Sequence, residues 1–573
     1  MPVKRRWFLA VVLAWLTLPA QAQPVLEVLQ QELDRNFSVL KAKADPPPYF
    51  ISYAVTEIQT EAAVASFGAL QNTGGGINRF LDVSVRVGSP KLDNYHVIRG
   101  DRPRFAGAIG VPVDSSNTGL RRRAWAETDR VYRNSVQRLI SIKTAQENNV
   151  KETSTANDFS AETPEKGAAL PPTLKIDRAA WEARVRKWSA LFSGKTGVLA
   201  SQVSISAQRE VKYFVSTEGT RIEHGRIYAR IVISAQGKAA DGMDLATSES
   251  FEAADVNRLP GLGGDEKPVL AAIEKVQKDL DGLLHAPLVE PYVGPAILSG
   301  RAAGVFFHEI FGHRIEGHRQ KDETEGQTFS KGVNTKVLPE FLSVSFDATR
   351  KQIGTTDLNG WYDFDDEGVK AGKVKLVDQG VLKTFLLSRS PVDGFAHSNG
   401  HGRKQPGAEV VSRQSNLIVE SGKQVAFAEL RKLLIDEAKR QNKPYGLYFE
   451  SVTGGFTTTG RRGLQAFTVI PLVVYRVWAD GRPDELVRGA DIVGTPLASF
   501  AKILATGDKT EIFNGYCGAE SGSVPVSAAS PALLVSEIEI QKKDRAQDRP
   551  PLLSRPDPEP EAPKREGRGS VRP

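Results

Sequence analysis

The pattern of apolar and polar positions changes character along the chain. From Pro24, "PVLEVLQQELDRNFSVLK" repeats apolar residues at helical spacing. After the break in "ADPPPYF", the run "ISYAVTEIQTEAAVAS" alternates like a strand, and "GALQNTGGGINRFLDVSVRVGS" reads as a glycine turn leading into another. "TGLRRRAWAETDRVYRNSVQRLISIKTAQEN" predicts a long amphipathic helix, the polar "NNVKETSTANDFSAETPEKGAALPP" a loop, and "DRAAWEARVRKWSALFSG" a helix. Residues 203–251 are mostly strand-like, and "DEKPVLAAIEKVQKDLDGLLHA" returns to helix. From about Pro291 one short apolar helix gives way to strands and glycine turns, interrupted by the helical "FAELRKLLIDEAKRQN".

These elements predict an α+β protein of two domains: a mixed α/β domain over 23–290 and a mostly antiparallel β domain over 291–543. A length of 573 residues agrees, being too great for one ordinary core. The stretch 544–573 is rich in Pro, Arg and Glu with almost no apolar content, so it reads as a disordered tail. At the other end, basic "MPVKRR", apolar "WFLAVVLAWLTLPA" and "AQA" make a secretory signal cleaved after Ala22. The expected location is therefore outside the cytoplasm, in the periplasm. No later stretch is long and apolar enough to predict a membrane span.

Composition alters this picture little. Hydrophobic content of 40% and charged content of 25% are those of a globular protein, and a net charge of +7 is modest for the length. No run interleaves Lys/Arg with aromatics, so nucleic acid is not an expected partner.

The candidate chemistry sits in "FFHEIFGHRIEGH". Three of the chain's 8 histidines fall there. Ser299 is a suitable N-cap for a helix through "GRAAGVFFHEIFGH" that is apolar nearly all round, hence buried. His308, Glu309 and His313 are then polar groups in a dry place and need partners, which a metal ion would supply. The spacing is five residues, not the four of H-E-x-x-H. On a regular helix, positions five apart point about 140° away from each other. Both imidazoles reach one ion only if the helix widens or ends near Gly312. The third donor could be His318, Glu316 or Cys517. His318 would require a second irregularity. Cys517 is distant but lies among glycines, is the only cysteine, and binding would explain how a lone exported thiol persists. Glu309, beside a ligand, is the natural general base.

"FFHEIFGHRIEG" together with "GYCGAESGSVPV" resembles the TldD/PmbA family of zinc metallopeptidases. "FDDEGV", "NGHGR", "SRQSNL", "VTGGF" and "LVRGADIVG" add to the resemblance. It implies Zn2+ held by His308, His313 and Cys517, with Glu309 as catalytic base. It also implies a dimer, with itself or with a paralogue, enclosing a chamber for unfolded peptide. Peptide would pair with a strand main chain, for which Ser415, Asn416, Gly454 and Gly455 are the candidates. A non-catalytic, peptide-binding partner with a structural zinc is the alternative.

Overall fold

The structure, a computed structural model, describes residues 24–98, 101–114, 117–147, 154–462, 466–494 and 499–543. The signal segment 1–22 and the tail 544–573 lie outside the described residues. No described helix is long and apolar enough to cross a membrane.

The first half is built on an eight-stranded sheet. Its longest hairpin joins Pro48–Ser66 to Ala69–Ser89 through Phe67 and Gly68, both at positive φ, the two-residue turn whose twist suits a hairpin. Ala200–Ser216 and Arg221–Lys238 continue the sheet antiparallel. The segment read as loop contributes a short strand, Lys166–Ala169, parallel to Arg221–His224; four residues without large apolar side chains give no strand signal in sequence.

Side chains alternate across a strand. Ile51, Tyr53 and Val55 pack under the helices Val25–Lys43 and Asn117–Glu147, and Ala63 and Ala65 under Arg178–Ala190 and Lys267–His285. The even positions of the neighbouring strands carry polar groups that meet the second half of the chain. Lys212 donates to Asp366 at 2.6 Å, Lys404 to Asp82 at 2.7 Å, and Arg226 to the carbonyl of Asn359. The "FDDEGV" stretch is thus part of this seam.

The second half is a twelve-stranded mixed sheet. Most pairings are antiparallel, as expected. Three are parallel: Asn416–Ile418 with Ser527–Ala529, Gln424–Val425 with Thr506–Gly507, and Leu447–Phe449 with Ala296–Leu298. A single large core joins this sheet to the helix Gly300–Ile310, which follows the strand Tyr292–Leu298 after one residue.

Candidate metal centre

The Gly300–Ile310 helix carries the site. Ser299 caps it, its hydroxyl accepting from the Ala302 amide at 3.2 Å. Ala302, Ala303, Val305, Phe306, Phe307 and Ile310 are all buried, so the helix is fixed on every side. It ends at Ile310, and Gly312–Ile315 form a 3-10 turn. The break near Gly312 is therefore present as a helix end, not a π-turn. A Cβ at Gly312 would collide with the side-chain amide of Gln414, so a larger residue there would have to displace Gln414. This turn swings His313 back toward His308. The two rings lie 5.0 Å apart, nearly perpendicular at 84°.

Cys517 arrives from the strand Ile503–Ala519, whose hairpin partner is Gly522–Lys542. Its Sγ is 3.4 Å from His313 Nε2. One donor atom each from His308, His313 and Cys517 can be chosen so that all lie within 4.8 Å of one another. All three residues are buried. Glu309 is buried too, its Oε2 without a hydrogen-bond partner and 3.9 Å from His313 Nε2.

The other two candidate donors are engaged elsewhere. His318 Nε2 faces Glu520 Oε1 at 3.4 Å. Glu316 sits behind His313, with Oε2 3.3 Å from Nδ1 and 2.9 Å from Arg319 Nε. Glu316 therefore touches the back of a candidate donor and leaves His313 Nε2 pointing at the cluster.

Charge is divided unusually here. Burial disfavours a charged His313, but Cys517 and Glu316 outweigh it and hold the imidazole well above its ordinary range. Burial pushes the Cys517 thiol up, yet His313 and His308 pull it well below the usual thiol range, toward the thiolate that binds metals. Glu316 is ionised down to about 2: burial opposes this, and His313, Arg319 and Arg413 override it. Glu309 is the exception. Burial raises it despite His308 and His313, so it is a carboxylate that takes up a proton readily.

The donors open on a cavity of about 550 Å³. Gly454 and Gly455 line it, with Thr453, Phe456 and Thr457 of the same strand. Residues 454–457 pair on one side with 467–470; among the described residues no strand pairs with their other edge. Arg230 and Tyr516 line it as well, and through Arg230 the first half of the chain also reaches the site. A second cavity of about 560 Å³ lies across Glu520 and touches none of the three donors.

Ser415 and Asn416 are not on this cavity. Both are fully buried. Ser415 Oγ is 3.0 Å from His401 Nε2, while Asn416 donates to the carbonyls of Asp347 and Arg350 and accepts from the Gly360 amide. They hold the interior together and offer a peptide no edge. Adjacent residues do reach the centre: Gln414 donates to the His308 carbonyl at 3.3 Å, and Arg413 to the Cys517 carbonyl at 2.6 Å. A buried arginine beside a cysteine 104 residues away leaves no periodic trace in the sequence.

Residues 292–542 match the family described as the PmbA/TldA metallopeptidase C-terminal domain. A metalloprotease of Archaeoglobus fulgidus is 28% identical over 327 residues, 57% of this chain and 69% of the relative. A zinc metalloprotease TldD homolog of Saccharolobus solfataricus is 26% identical over 284 residues, 48% of this chain and 57% of that protein. Among solved structures, TldE from Thermococcus kodakarensis superposes with a TM-score of 0.60 at 11% identity, covering 90% of this chain and all of the other.

Proposed function

Starting from a chain that belongs to the TldD/PmbA metallopeptidase family, we propose that it is an exported zinc-dependent peptidase. In this reading it hydrolyses unfolded peptides as one half of a dimer. One observation carries the proposal: His308, His313 and Cys517 converge beside an unpartnered Glu309 oxygen, in a cavity roofed by an unpaired strand edge.

The donors fit a metal. Nitrogen and sulfur together suit zinc. A tetrahedral zinc with bond lengths of about 2.0–2.3 Å sets its donors roughly 3.5 Å apart. The separation of Cys517 Sγ from His313 Nε2 is 3.4 Å. With Glu316 turned to the back of His313, the cluster has three protein donors among the described residues, as in catalytic rather than structural zinc sites. That supports the enzyme over the non-catalytic partner.

When bound, zinc acidifies a water and polarises the carbonyl to be attacked. The chain's own residues do the rest. The Glu309 carboxylate takes the proton from the attacking water and passes it to the departing amine. Its dry position strengthens it as a base. The free edge at 454–457 accepts an extended peptide by main-chain pairing, which tolerates many side chains. Phe456 and Tyr516 line the same cavity.

The test is digestion of a reduced, unfolded protein by the purified chain, with chelator and with zinc restored. Cleavage is expected to stop and return. Glu309→Gln is expected to keep the metal and lose cleavage; undiminished cleavage by that variant removes Glu309 as base. Export is tested by the N-terminus of the mature protein, expected at Gln23; an intact leader on the cytoplasmic product overturns it.

A further inference from the structure

We infer that the buried Glu316–Arg413 pair is a positioning device that holds two of the three metal donors in register. It fixes His313 through its ring and Cys517 through its main chain. The inference rests on the zinc reading above and assigns roles that His308, His313, Cys517 and Glu309 do not fill.

Both members are sealed from solvent, each at 0% side-chain exposure, with Arg413 Nε 3.5 Å from Glu316 Oε1. Two charges in the interior are costly to keep unless every group has work to do. Here each does. Glu316 Oε2 faces His313 Nδ1 at 3.3 Å, and Arg319 Nε anchors the same oxygen at 2.9 Å. A carboxylate at Nδ1 keeps the proton there and leaves the Nε2 lone pair for the ion. Nε2 is the atom that meets Cys517 Sγ.

Arg413 works on the other donor. Its Nη2 donates to the Cys517 carbonyl at 2.6 Å. Its Nη1 donates to Ser521 Oγ at 2.8 Å and to the Gly522 carbonyl at 2.9 Å. The guanidinium thus grips both the strand at Cys517 and the turn that follows. His313 and Cys517 are 204 residues apart and lie on separate elements. The path Cys517–Arg413–Glu316–His313 links them, by hydrogen bonds at its two ends and by an ion pair between Arg413 and Glu316.

The experiment measures zinc affinity of the full-length protein by chelator competition, for wild type, Glu316→Gln, Arg413→Met and Arg413→Lys. The cobalt-substituted proteins are read for the thiolate-to-cobalt charge-transfer band. Glu316→Gln and Arg413→Met are expected to weaken zinc binding roughly 10–100-fold. Arg413→Met is expected to diminish the cobalt band as the Cys517 strand drifts, and Arg413→Lys to recover part of the affinity. A purely structural pair would lower the melting temperature of the metal-free variants and leave zinc affinity and the cobalt band as in wild type; that result overturns the inference. Should Arg413→Met fail to fold, Glu316→Gln carries the same decision. Lack of zinc binding by the wild type overturns the metal reading itself. Wild-type affinity in folded variants overturns only the positioning role.

Discussion

Gly455→Ala probes how closely the strand segment 454–457 approaches the proposed base. A Cβ at Gly455 would lie 2.8 Å from Glu309 Cγ and 2.8 Å from the Thr468 carbonyl oxygen. Ordinary carbon contacts need roughly 0.6 Å or more beyond that. Thr468 belongs to the strand that pairs with 454–457, so its carbonyl cannot retreat without disturbing the ladder. The Glu309 side chain has the freer end and gives way. Misplacing a catalytic group by about 1 Å costs about 100-fold in rate, so a shift of about half that is expected to lower kcat about 10-fold or more. Overpacking also destabilises by about 1–3 kcal/mol. The three atoms nearest the added methyl belong to Glu309 and Thr468 and not to the candidate metal donors, so metal content is expected to stay near wild type. The assay combines steady-state cleavage of a fluorogenic peptide, metal analysis and a thermal melt. Gly372→Ala, where a Cβ meets nothing within 4 Å, is the control. A Gly455→Ala enzyme with wild-type kcat and intact zinc would refute the close approach, and with it the placement of peptide on this edge.

Three further outcomes follow from the same geometry. Ser299→Ala removes the cap of the site helix and is expected to cost about 1 kcal/mol in a denaturant titration, with the fold retained. Lys212→Met leaves Asp366 without its ion pair at the seam between the halves, and about 3 kcal/mol of stability is expected to be lost. His401 is buried, and burial, with Arg403 adding to it, depresses its imidazole to about 4. A depressed histidine stabilises the fold above its unfolded pKa of about 6.5, and that contribution fades as pH falls toward 4, by up to ~3 kcal/mol. His401→Gln is expected to flatten the fall in melting temperature between pH 6.5 and 4.5; an unchanged slope counts against the assignment.

Local chemistry was the legible part of the site. The five-residue step between His308 and His313, with Gly312 between them, required a helix break, because no regular turn brings both imidazoles to one point. The break is there, a helix end at Ile310 followed by a 3-10 turn that starts at Gly312. The all-round apolar helix was equally plain, since a helix without a polar face must be buried. Among the four candidate peptide contacts, the sequence did not separate cavity positions from interior ones. Gly454 and Gly455 line the cavity, but Ser415 and Asn416 do not, since a polar pair in an alternating run looks the same whether it faces substrate or interior carbonyls. Arg413 was unreadable for a related reason. Buried charges are recognisable only by their partners, and its partners are 97 to 109 residues away in sequence. The parallel pairings were hidden too, because strand direction depends on connections between elements and leaves no mark on the alternation itself.

The most direct test of the metal centre is zinc stoichiometry of the purified full-length protein beside its Cys517→Ala variant. About one zinc per chain is expected in the wild type, with most of it lost from the variant. Equal zinc in the two proteins, or none in either, would contradict a centre formed by His308, His313 and Cys517.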